Sequence, residues 1–152
     1  MPKPAARARA LLPALVVLPV GLASCGEQST PAASIGSAER TVLLAEGRSL
    51  YMAHCMMCHQ AQGEGVPGMQ PPLVGVASVT GDPGRLIELT LRGIGRERGQ
   101  LPPTGPWRQE MLGFDHLSDK EIAAVLTYIR QSWGNNAPAI SQEQVFDARQ
   151  GR

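Results

Sequence analysis

Apolar residues recur at helical spacing in three stretches of this chain. Val42, Leu43, Leu50 and Tyr51 mark an amphipathic run from about Ala38 to Tyr51 or His54. Leu86, Ile87, Leu89 and Thr90 mark a second, with Asp82 as its N-cap, Pro83 at the first helical position and a stop near Gly93. Ile122, Val125, Leu126 and Ile129 mark a third. It starts at Ser118-Asp119-Lys120-Glu121, a capping box of the S-x-x-E form, and runs to Gly134. Residues 135–152 form a tail in which Ser141 to Gln150 has a Ser-x-x-Gln start and suits a short helix. Between the helices, residues 63–81 and 93–117 are rich in glycine and proline and read as loops, long ones for a packed domain.

The N-terminus follows a different pattern. Lys3, Arg7 and Arg9 precede a charge-free stretch from Ala10 to Ala23 that contains Pro13 and Pro19. That stretch is well short of the ~20 residues that cross a bilayer. Residues 1–24 therefore read as an export signal, outside the fold. Leu22-Ala23-Ser24-Cys25 resembles the bacterial lipobox, in which the cysteine is acylated and becomes the first residue of the mature protein. The other reading is an ordinary signal cleaved near Ala23, leaving Cys25 as a free thiol and the protein soluble in the periplasm. Residues 25–38 are rich in Ser, Ala, Gly and Pro and read as a flexible tether. Each buried acyl CH₂ contributes ~0.8 kcal/mol, so a lipidated Cys25 would keep the domain on a membrane surface.

Composition narrows the class. Aromatic residues make up 4% of the chain and β-branched runs are few, which argues against an all-β fold. The chain carries 14 Lys and Arg against 13 Asp and Glu, and 11 against 13 once Lys3, Arg7 and Arg9 are removed. No basic stripe or aromatic platform points to nucleic acid. No Ser/His/Asp set or paired carboxylates mark a bond-making site, and Gly63-x-Gly65 is too short to cradle a phosphate.

The most specific feature is Cys55-Met56-Met57-Cys58-His59. This C-x-x-C-H run is the signature of covalent c-type haem attachment. On a helical turn the two cysteines share one face and can form thioethers along one haem edge, while the adjoining His59 can ligate the iron. A zinc half-site is the competing reading, but besides these residues only His54, His116 and Cys25 remain as His or Cys ligands. A thioredoxin-like pair would need a βαβ pattern, which is absent. A domain spanning 39–134, with 17 glycines and 13 prolines in the whole chain, has little core material of its own. A covalently held porphyrin would supply the missing apolar mass, as disulfides and metals do in other small folds.

Over that stretch the chain resembles the class I c-type cytochromes. Gly47-x-x-x-Tyr51 is similar to the family's first-helix motif and Val125-x-x-Tyr128 to its last-helix partner. Leu117-Ser118-Asp119-x-Glu121-Ile122 through Arg130, with Ser132-Trp133-Gly134-Asn135-x-Ala137-Pro138, resembles bacterial mono-haem domains associated with dehydrogenases and oxidases. The resemblance implies an all-α cytochrome c fold: three main helices and Gly/Pro-rich loops wrapped around one haem c held by Cys55 and Cys58. It implies that the Pro71 carbonyl, in Pro71-Pro72-Leu73, accepts from the ring of His59. It also places Met111 where the family's sixth ligand falls, although Met111-Leu112 replaces the family's frequent Met-Pro. His116 is the alternative ligand. Leu73, Leu86, Leu89, Leu101, Trp107 and Phe114 are candidate haem lining, and Trp107 and Arg92 are candidates for the propionates.

The function implied is electron carriage, not enzymatic catalysis. The donor would be a periplasmic or membrane-associated dehydrogenase or quinol-oxidising complex, and the acceptor a terminal oxidase. The alternative is a peroxidase-like enzyme or gas-binding sensor with a displaceable sixth ligand.

Overall fold

Local capping chemistry places most of the helices where the periodicity predicts them. The structure is a computed structural model and describes residues 36–96, 99–102 and 106–151; the export signal, Cys25 and the tether up to residue 35 lie outside them. Among the described residues the elements are α1 (Ser37–His54), α2 (Met56–His59), α3 (Ala77–Thr80), α4 (Pro83–Arg92), α5 (Asp119–Gln131) and α6 (Gln142–Arg149). Extended pairing among them is confined to isolated bridges, Val66 with Gln70 and Ile94 with both Leu101 and Met111. The fold is all-α.

The caps have clear causes. Asp82 accepts from the Gly84 N–H at 3.0 Å, and Pro83 opens α4, where its missing N–H costs nothing. Ser118 and Glu121 exchange side-chain-to-backbone bonds at the start of α5, and Ser141 and Gln144 do the same at the start of α6. Within α1, Tyr51 is fully buried, but Val42 is 66% exposed: it lies off the stripe that faces the core.

α1 crosses α5, and aromatic rings close over the crossing. Tyr51 lies 5.7 Å from Tyr128 and 5.0 Å from Trp133, ring centre to ring centre, and Tyr128 meets Trp133 edge-on at 5.5 Å. The Tyr51 hydroxyl donates to the Gln60 carbonyl at 2.5 Å, so the ring also ties α1 to the residue that ends α2. Burial pushes this phenol far above its ordinary range, which keeps it a donor. The core continues through Ile87, Ile122, Leu126 and Ile129 to Ile140 and Val145, so the tail that carries α6 packs into the same apolar cluster.

α3 falls within a stretch whose composition reads as loop. Two of its four residues bond one carbonyl, that of Val76, which accepts from the N–H groups of Val79 and Thr80 and from the Thr80 hydroxyl. Val79 is 2% exposed. Burial of that one side chain holds a turn that β-branched residues do not favour by themselves.

Arg130 and Asn135 brace the loops from within. Arg130 is buried and donates to the carbonyls of Val79, Gly81 and Pro138. Asn135, also buried, donates to Leu73 and Ile129 and accepts from the Gly75 N–H. Polar contacts thus replace hydrophobic mass that this small core lacks.

Candidate functional site

The turn at the end of α1 carries the chemistry. The Cys55 carbonyl accepts from the N–H groups of Cys58 and His59 at 3.1 and 2.9 Å, so residues 55–59 close on themselves as one helical turn. Cys55 is half-buried and Cys58 exposed. Burial, reinforced by the neighbouring Cys58, pushes the Cys55 thiol up to about 12.

His59 is buried, and its Nδ1 lies 3.0 Å from the Pro71 carbonyl oxygen. A carbonyl only accepts, so Nδ1 must carry the proton, and Nε2 is left as the ring's available lone pair. Burial lowers the affinity of this imidazole for a second proton, with the Pro71 bond opposing in part. The neutral ring is the form that ligates a metal.

A cavity of about 510 Å³ opens beside this turn and is bounded by Cys55, Cys58, His59, Pro71, Met111 and Phe114, among others. Met111 reaches it from the far loop. Its backbone pairs with Ile94 in both directions, N–H to carbonyl at 2.8 Å and 2.9 Å. Gly93 (φ 71) packs so closely beneath Met111 and Gly113 that a side chain there would strike their backbone. Trp107 also lines the cavity.

Other expected residues lie elsewhere. Leu73 packs against the hydrophobic core and does not line this cavity. Its N–H bonds the Gly63 carbonyl and its own carbonyl takes the Asn135 amide, which fixes it on the core side. Leu86 is likewise core, Leu89 is half-buried, and Leu101 is buried where its N–H bonds the Gly93 carbonyl. Arg92 turns away, bonding the Gly99 carbonyl and pairing with Glu88. Among the described residues the arginines on the cavity wall are Arg96 and Arg108, which sequence reasoning missed. They sit in a loop with no periodicity, so spacing carried no signal. His116 lies outside the wall, 6.2 Å from His54 and 6.0 Å from Phe114 between ring centres. Met69 contributes its carbonyl to the Gln109 N–H and is 36% exposed.

The residues present suit a haem. The volume lies within the ~300–1,000 Å³ typical of cofactor sites. Two thiols stand on one wall beside an imidazole with a fixed tautomer, a thioether-bearing residue lines the same space, and Arg96 and Arg108 lie on its wall. Among the described residues no group of three His, Cys, Asp or Glu converges to hold a metal ion, so the zinc reading finds no additional ligands there.

Comparison with known proteins agrees with this geometry. The family model described as Cytochrome c matches residues 44–133. The chain is similar to the cytochrome c subunit of a quinone-dependent alcohol dehydrogenase from Gluconobacter oxydans (strain 621H): 43% identical over 96 residues, covering 60% of this chain and 19% of that subunit. It is similar to cytochrome c-552 of Thermus thermophilus, 41% identical over 96 residues, covering 60% of this chain and 70% of that protein. It is also similar to the fructose dehydrogenase cytochrome subunit of Gluconobacter japonicus, 34% identical over 113 residues, covering 70% of this chain and 22% of that subunit. The chain thus spans about a fifth of the length of the dehydrogenase subunits it matches.

Proposed function

The chain belongs to the cytochrome c family, and from that premise we propose that it is a single-haem electron carrier in which His59 and Met111 would ligate the haem iron. Cys55 and Cys58 would hold the haem c through thioethers. When bound, the haem supplies one-electron exchange between ferric and ferrous iron. The protein's own residues orient and exclude. Pro71 keeps the His59 Nδ1 protonated and the ring fixed, and a hydrogen bond of that kind raises the basicity of a ligating imidazole. Met111 brings a soft thioether, which favours the reduced state. Phe114 and Trp107 keep part of the wall apolar, and Arg96 and Arg108 are the candidates for neutralising the propionates.

The observation that carries this reading is the convergence of both thiols, the Pro71-locked imidazole and Met111 on one cavity. Met111→Ala in the haem-loaded protein tests it. The expected result is loss of the weak near-infrared sulfur-to-iron band, with rapid CO binding to the ferrous form. An unchanged spectrum would show that another group is the sixth ligand. Rapid CO binding by the unaltered protein would favour the peroxidase-like or sensor reading.

The relatives named as dehydrogenase subunits support a dehydrogenase as electron donor. A quinol-oxidising complex is the other candidate donor, and a terminal oxidase is the candidate acceptor. Residues 1–24 act as an export signal, with acylation at Cys25 and the tether to a periplasm-facing membrane ending by residue 36, because Ser37 and Ala38, expected in the tether, open α1. The intact mass of the exported protein reports haem addition and acylation together. A mass showing haem but no acyl chain would leave a soluble periplasmic carrier.

A further inference from the structure

We infer that Arg149, on the C-terminal helix α6, is a positioning residue for the sixth ligand, holding the limb of chain that returns from Met111. This rests on the assignment of Met111 above. The family match ends at residue 133, so α6 lies beyond it.

Before Met111 the chain is secured by the paired backbone bonds to Ile94. After it, Gly113 packs on the backbone of Leu91 and Arg92, and Phe114 and Leu117 pack against the core. Leu112 is 71% exposed, Asp115 and His116 are exposed, and the backbone bonds there are Phe114 N–H to the Thr90 carbonyl and Leu117 N–H to the Phe114 carbonyl. Arg149 adds side-chain bonds that tie this limb to α6. Its Nε pairs with the Asp119 carboxylate at 2.5 Å, Nη1 donates to the Asp115 carbonyl at 2.8 Å and Nη2 donates to the Leu117 carbonyl. One planar guanidinium therefore joins the return limb to the first turn of α5, a geometry suited to arginine's fixed fork of donors. Its own backbone is anchored because Val145, one turn earlier on α6, is fully buried in the core.

The consequence is conformational. Displacing the limb 112–117, and Met111 with it, from the cavity would break the Arg149 bonds to the Asp115 and Leu117 carbonyls. Without them the open population rises, and an external ligand binds more tightly in proportion to that population.

The experiment is an imidazole titration of the ferric, haem-loaded protein, comparing Arg149→Ala and Arg149→Lys with Val79→Ala as a destabilised reference remote from the cavity. Loss of charge-assisted bonds of this kind predicts that Arg149→Ala binds imidazole about tenfold more tightly. Arg149→Lys, which keeps the charge near Asp119 but cannot span both carbonyls, should fall between it and the parent. Met111→Ala is run alongside. If it retains the sulfur-to-iron band, the ligand assignment fails and this proposal fails with it. If it loses the band while both Arg149 variants bind imidazole no more tightly than Val79→Ala, the ligand stands and the role of Arg149 is overturned.

Discussion

Gly47 on α1 lies under Tyr128 of α5 with no space for a side chain: a β-carbon there would sit 2.7 Å from the Tyr128 Cβ and strike the Ala124 carbonyl. Contacts under 3.0 Å are essentially never seen for real β-carbons, and a backbone carbonyl in a buried helix cannot swing aside. The close approach brings Tyr51, one turn after Gly47, against Tyr128 and Trp133. Because α1 leads directly into Cys55, the same crossing sets where the attachment turn starts.

Gly47→Ala is therefore expected to destabilise the protein, although alanine is the better helix former. Helix propensity favours the change by about 1 kcal/mol, while overpacking against a rigid neighbour costs about 3 kcal/mol. The net loss of about 2 kcal/mol corresponds to a fall in Tm of roughly 10 °C for a domain of this size. Thermal unfolding of the haem-loaded protein followed by circular dichroism checks it. A Tm equal to or above the parent's would mean that the crossing has slack.

The sequence made the helices legible because their boundaries are local. Asp82-Pro83, the Ser118/Glu121 box and the Ser141/Gln144 box each specify a start without reference to the rest of the fold. Asn135 stood in a recognisable tail motif, and its three bonds to Leu73, Gly75 and Ile129 show a physical use for it. Cys55, Cys58, His59 and Met111 lie on one cavity. What could not be read is tertiary. The α3 turn depends on burying Val79, and Leu73 and Leu86 face the protein core because partners distant in sequence pull them there. Arg96 and Arg108 reach the cavity through loop geometry, and a loop has no period to read.

The α5 cap predicts a pH dependence. The Glu121 carboxylate accepts from the Ser118 hydroxyl at 2.7 Å and from its N–H at 2.8 Å, and these bonds hold it below its ordinary 4.5. A carboxyl with a lowered folded value stabilises fully above its unfolded value and loses that contribution as pH falls through the folded one. Glu121→Gln can still accept both bonds but does not titrate. The parent should therefore lose more stability than the variant between about pH 7 and about pH 3, as measured by urea unfolding. Equal losses in the two proteins would mean that this cap is not coupled to protonation.

The two attachment cysteines should differ in reactivity before haem is joined to them. The thiolate is the nucleophile in alkylation as in most thiol chemistry, so the fraction ionised and the access of the reagent set the rate. Cys55 is disfavoured on both counts. It is half-buried against the core, and its thiol is pushed up to about 12, chiefly by burial and secondarily by Cys58. Cys58, on the same turn, is exposed. In the haem-free chain with Cys25 replaced by serine, a limiting amount of iodoacetamide at about pH 8 should label Cys58 first. Peptide mass spectrometry over a time course would show Cys55 lagging by about tenfold or more, since a thiol raised that far has a very small thiolate population at this pH. Addition of urea should bring the two rates together, because unfolding removes the desolvation that separates them. Equal labelling in the folded chain would show that the attachment turn is not formed without its cofactor.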